Sequence, residues 1–144
     1  VTIPIGPISG EAQELLETTD ASLADGMSQM VMGRRLSDIG AAVQTKAESG
    51  GFSVVRQFVG HGIGRNMHEP PQVPNYGRPG RGQRLRVGMV FAIEPMVNMG
   101  SEKVRVLDDE WTAVTADGEL SAHFEHTIAI KEDGPQILSR VQNG

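Results

Sequence analysis

Three short stretches of this 144-residue chain hold side chains able to do chemistry, and the chain has no cysteine. The first is Gly60-His61-Gly62-Ile63-Gly64, which follows an apolar run. Glycines on both sides of His61 let the backbone turn tightly and keep bulk away from the imidazole, so the ring can face a cavity. His68 follows seven residues on, ahead of Glu69-Pro70-Pro71. The second stretch is Ile93-Glu94-Pro95, inside the apolar run Met89 to Val97. A carboxylate there is costly to bury unless it is paired or bound to a metal. The plain alternative is a half-exposed strand with Glu94 in water, and Pro95 suits it because proline prefers edge strands. The third stretch is Phe124 to Ile130. Strand alternation puts Glu125, Thr127 and Ala129 on one face, and Phe124, His126, Ile128 and Ile130 on the other. For Glu125 the plain alternative is a cross-strand ion pair.

His61, Glu94 and Glu125 together form a borderline-to-hard ligand set, suited to Mn, Fe, Co or Zn. A metal held by them would acidify a bound water and polarise a carbonyl, which is hydrolase chemistry. Glu125 could bridge two ions, but three ligands are too few for a closed two-metal site. The residues alone therefore carry the reading to a metallohydrolase incompletely supplied with ligands. The lack of cysteine excludes disulfides and thiolate metal sites. Neither a Gly-x-Ser-x-Gly elbow nor a phosphate-binding Gly-x-x-x-x-Gly-Lys-Ser/Thr loop is present.

Two helices and a set of short strands must position these groups. Apolar residues at helical spacing between Glu11 and Met32, with Ser9 as N-cap and Gly33 as a stop, predict a first helix. Ser37 as cap, Leu36 as staple, the stripe Ile39, Val43 and Ala47, and the stop at Gly50-Gly51 predict a second. Strands are expected at Phe52–Val59, Met89–Val97, Val104–Leu107, Trp111–Thr115, Ser121–Ile130 and Gln136–Ser139. Residues 60–82 are crowded with Gly and Pro, which predicts irregular backbone. The order, helices and then mostly antiparallel strands, reads as an α+β fold with helices on one face of a curved sheet. One domain is expected at this length. A net charge of −5 argues against a nucleic-acid partner. Arg78, Arg81, Arg84 and Arg86 are spaced by Gly, Pro and Gln without aromatics, as in a solvated loop. No run is long and apolar enough to span a membrane, and no secretory signal opens the chain, so a cytoplasmic location is expected. The apolar start, Val1 to Ile8 without an initiator Met, reads either as a chain that begins within a fold or as a trimmed N-terminus.

Four ordered motifs, Val59-Gly60-His61-Gly62-Ile63-Gly64, Met67-His68-Glu69-Pro70, Gly88 to Pro95, and Phe124-Glu125-His126-Thr127, resemble the methionine aminopeptidase family. The resemblance runs from about Pro4 to Leu138. The short interval between His68 and Glu94 looks like the type I, mainly bacterial, branch. The resemblance implies a pita-bread fold of two pseudo-symmetric halves, two divalent metals (Co, Mn, Fe or Zn) bridged by water or hydroxide, and removal of N-terminal Met from new proteins. It implies metal-ligand positions at His61, Glu94 and Glu125, proton transfer at Glu94, and a catalytic, substrate-contacting role for His68. Trp111 matches an aromatic near the methionine pocket, and Met67 stands where the family commonly has Phe. The family's two aspartate ligands and a further active-site His have no counterpart here. The chain is therefore expected to be the C-terminal part of a catalytic domain, holding one metal or none by itself and pairing with a missing N-terminal half or with itself. A natural short homologue is the other explanation. A proline-specific peptidase of the same fold and a non-catalytic binding homologue are the competing functions.

Overall fold

The computed structural model describes residues 1–140. Helix α1 spans Gly10–Ser28 and α2 spans Leu36–Ser49. Ser9 caps α1 as expected, its hydroxyl accepting from the Ala12 N–H at 3.1 Å. The helix ends at Ser28 with Gln29 as its C-cap, short of the expected Gly33, and Met30 just beyond it is fully buried. At α2 the expected cap is corrected. Arg35 is the N-cap, and the Asp38 carboxylate reaches back to the Arg35 N–H at 2.8 Å. Ser37 instead exchanges hydrogen bonds with the Arg81 backbone across 44 residues.

Among the described residues ten strands follow: β1 Ser53–Val54, β2 Gly60–Gly62, β3 Glu69–Val73, β4 Val90–Ile93, β5 Met96–Asn98, β6 Val104–Val106, β7 Ala113–Thr115, β8 Ser121–His123, β9 His126–Lys131 and β10 Gly134–Ile137. They form a five-stranded sheet ordered β10-β9-β4-β2-β3, a three-stranded sheet β1-β5-β8, and the hairpin β6-β7. Every pairing is antiparallel, and the α+β expectation holds.

Three strand expectations need correction. The run at Phe52–Val59 pairs only over Ser53–Val54. The stretch 60–82 does contain strands, β2 and β3. Pro70 and Pro71 are tolerated because β3 is an edge strand, where a missing N–H costs no central ladder bond. Finally, the two long strands expected at Met89–Val97 and Ser121–Ile130 are each broken in two. Ile93 pairs with His126 in the larger sheet, and Met96 pairs with His123 in the smaller one. Glu94-Pro95 and Phe124-Glu125 lie opposite each other in the gap, where the paired ribbon passes from one sheet to the next.

The helices hold that bend in place. One apolar cluster joins Leu23 and Ile39 to Phe91, Ile93, Ile128 and Ile130 of the larger sheet. A second joins Leu15 and Ala47 to Val54, Val97 and Ala122 of the smaller one. The late part of α1 and the early part of α2 thus share one sheet, and their other ends share the second, so the helices run antiparallel across both. Phe124, at the break, packs against both clusters.

Candidate metal centre

The break is where the chemistry gathers. β4 ends at Ile93, and Pro95 has no N–H to continue a ladder. The Glu94 carbonyl takes a side-chain donor instead, the Asn75 amide at 3.1 Å. Asn75 is buried, in a segment pinned to α2. A Cβ at Gly40 would collide with the backbone of Pro74 and Tyr76, and Gln44 accepts from the Gly77 N–H at 2.9 Å.

The Glu94 side chain is only 15% exposed and stands between two imidazoles. His61 Nε2 lies 3.4 Å from one carboxylate oxygen, and His123 Nε2 lies 3.9 Å from the other. His61 sits in β2, pairing with Ala92 of β4. The flanking glycines do more than free the turn. A Cβ at Gly60 would strike the Ala92 carbonyl, and one at Gly62 the Pro70 carbonyl, so both are needed for β2 to lie between its neighbours. His61 Nδ1–H donates to the Gly62 carbonyl at 3.0 Å. In the neutral ring that leaves Nε2 as a lone pair facing a carboxylate oxygen. His123 Nε2 is buried with no hydrogen-bond partner; 3.9 Å is within reach of charge attraction but not of a hydrogen bond.

Glu125 completes the group. Ligand atoms of Glu94, His123 and Glu125 lie within 4.8 Å of one another. Burial raises the Glu94 pKa above the usual carboxylate range, and the Glu125 charge raises it further, against the pull of His61. Burial also lowers the His123 pKa, against the pull of Glu125. Two carboxylates and two imidazoles pointed at one another, with an orphaned buried ring nitrogen among them, make a site that a cation fits. Nitrogen and carboxylate donors are the borderline-to-hard set for first-row divalent metals.

The structure brings Glu94 and Glu125 together as the sequence reading requires, with His61 beside Glu94. His123 was missed. Its signal in the sequence is spacing alone: His123 and Glu125 stand two residues apart, on one face of a regular strand. His68 is exposed, and its ring centroid lies 4.1 Å from that of His61. Met67 is 71% exposed, and Trp111, in the turn between β6 and β7, is 90% exposed. His126 Nδ1 is bonded to the Ser139 hydroxyl at 2.9 Å.

The sequence pattern of metallopeptidase family M24 matches residues 1–132. The methionine aminopeptidase of Clostridium perfringens is 56% identical over 141 residues, covering 98% of this chain and 57% of that protein. Methionine aminopeptidase 1 of Bacillus subtilis is 56% identical over 140 residues, covering 97% and 56%. The crystal structure of methionine aminopeptidase from Thermotoga maritima superposes with a TM-score of 0.93 at 48% identity, over 95% of this chain and 55% of that one. The chain thus shares the pita-bread fold, and it spans little more than half the length of the curated relatives it matches.

Proposed function

Because this chain belongs to metallopeptidase family M24, we propose that it carries metal-ligand carboxylates of an enzyme that removes N-terminal methionine from peptides. The observation that carries the proposal is the strand break itself. It sets Glu94 and Glu125 against imidazole nitrogens in a fold shared with methionine aminopeptidases. The proline-specific and non-catalytic readings are not favoured, since relatives 53–56% identical are named methionine aminopeptidase. We read residues 1–144 as the C-terminal part of the catalytic domain, completed by an N-terminal half. The span of 55–57% of its relatives' length supports that reading.

Glu94, Glu125, His61 and His123 would hold the metal. A divalent cation there supplies Lewis acidity, which polarises a carbonyl and acidifies water. Glu94 would take up and return the proton at a carboxylate oxygen. His68, against the His61 ring, contacts the substrate next to the scissile bond. Met67 and Trp111 offer exposed apolar surface for the methionine side chain. These roles, and the choice among Co, Mn, Fe and Zn, are tested together. The chain is titrated with each metal, alone and with a separately made N-terminal half of a type I relative, and Met-Gly-Met-Met hydrolysis is followed beside an Ala-Pro peptide. Stoichiometric binding with turnover of the Met peptide in the reconstituted form is expected. Cleavage of the Ala-Pro peptide alone, or turnover unaffected by chelation, would sink the proposal.

A further inference from the structure

The arginine-rich stretch after Gly77 is not a free loop. Residues 81–85 lie antiparallel to residues 33–37 as a short ribbon, bridged at Arg35 and Arg84. The Gly33 and Leu36 N–H groups donate to the Leu85 and Gln83 carbonyls at 3.1 and 2.9 Å, and the Leu85 N–H donates to the Arg34 carbonyl at 2.8 Å. Leu85 is buried in the cluster it shares with Ile39 and Phe91, so alternation turns its neighbours Arg84 and Arg86 to solvent. Arg34, Arg78 and Arg81 are exposed on the same two segments, and Arg35 is half-buried. Residues 33–38 and 77–88 thus hold six of the chain's 13 Lys and Arg residues and one of its 18 Asp and Glu residues. That one acid, Asp38, is already taken by the Arg35 and Gly80 N–H groups. Among the described residues no carboxylate comes within 4.0 Å of any of the six guanidiniums. The net charge of −5 therefore hides a strongly basic ribbon on an acidic molecule.

We propose that this ribbon docks an acidic protein segment that carries apolar side chains among its carboxylates. Guanidinium groups present paired donors that match carboxylates, and all six cations are Arg rather than Lys. Exposed apolar groups stand in the same run: Met32, 67% exposed, precedes Gly33, and Val87, 44% exposed, follows Arg86. Met and Arg are both enriched in protein interfaces. A nucleic acid fits less well. It would run over the acidic remainder of the chain, and the ribbon has no aromatic side chain on which a base could stack. A short segment stays within the ribbon's own field, which salt confines to about 8 Å. None of these residues enters the metal centre.

The test uses the 144-residue chain and a fluorescent synthetic peptide in which Glu alternates with Leu, followed by anisotropy. Binding is expected, weaker for an all-Glu peptide, and falling about 10-fold or more as salt rises from about 0.05 to about 0.5 M. The double variant Arg84→Glu, Arg86→Glu should weaken it by about 10-fold or more, whereas Arg105→Glu, on β6, should change it by less than about 2-fold. Met32→Ser should weaken the Glu-Leu peptide and leave the all-Glu peptide unchanged. Circular dichroism confirms that each variant folds. Four outcomes overturn the proposal: no peptide binding at millimolar concentration, binding indifferent to the Arg84 and Arg86 reversal, tighter binding of duplex RNA or phosphatidylserine vesicles through the same arginines, or loss of peptide binding when the N-terminal half of a type I relative is added. The last would mean that the ribbon faces the other half of the enzyme.

Discussion

Carboxylates in two regions of this chain show opposite habits. Asp38, Asp109 and Asp117 sit in turns and at a helix start, each surrounded by donors. Asp38 accepts from the Arg35 and Gly80 N–H groups at 2.8 and 2.6 Å. Asp109 accepts from Trp111, Thr112 and the Thr112 hydroxyl, and Asp117 from Ser101 and Glu119. All three have lowered pKa values, with those hydrogen bonds as the leading cause. Glu94, at the strand break, has no side-chain donor of that kind. Burial and the Glu125 charge push its pKa the other way. The turn carboxylates are finished structural parts. The strand-break carboxylate is held in place by its backbone and faces imidazoles rather than close hydrogen-bond donors, as expected of the cation ligand proposed above.

The comparison breaks first on metal. Glu94→Gln should lose divalent-metal affinity by more than the ~10–100-fold expected for an outer partner, whereas Asp109→Asn should leave it unchanged by the same titration. Equal effects would remove the distinction. Next in size is the support. Asn75→Ala strips the donor from the buried Glu94 carbonyl and should lower unfolding free energy by about 1–3 kcal/mol in urea titrations. Metal affinity should fall with it, because the strand break loses its tether. Smaller again is Asp38→Ala, which removes the bond back to the α2 N-cap. About 0.5–2 kcal/mol of stability is expected to go, at the low end because the group is near solvent, with metal affinity intact.

The subtlest separation is in pH, measured on the metal-free chain. Asp38 is lowered on folding, so its contribution is present above the unfolded value of about 3.9 and is lost as pH falls through the folded value. Glu94 is raised, so the folded state binds its proton more readily and gains stability as pH falls from neutral through the folded value. His123, lowered by burial, works against that gain below its unfolded value of about 6.5. The quantity to plot is therefore the difference in melting temperature between wild type and Glu94→Gln. It should shrink from neutral pH toward pH 4, and the difference for Asp38→Asn should shrink only below about pH 4. A Glu94 difference that is flat with pH would count against the buried, donor-poor geometry.

Much of this could be read before any coordinates. Ser9 as a cap, the Ile39, Val43 and Ala47 stripe, the stop at Gly50-Gly51 and the β6-β7 hairpin follow from local rules that act within one or two turns of chain. The ordered motifs also picked out His61, Glu94 and Glu125. Local rules failed where a partner far along the chain decided the matter. Ser37 looked like a cap but is taken up by Arg81. Pro70-Pro71 looked irregular but lies on a sheet edge.

The sequence by itself determined the residue types at the site and the helices behind it, because spacing, caps and apolar stripes are properties of neighbouring residues. Only the tertiary structure decided that two apparently continuous strands break opposite each other. A break is set by which sheet each half joins, and that depends on α1 and α2 packing across both. It also decided that His123 faces Glu94. Period-2 alternation fixes a side chain's direction only while the strand is regular, and His123 stands at the point where the strand stops being one.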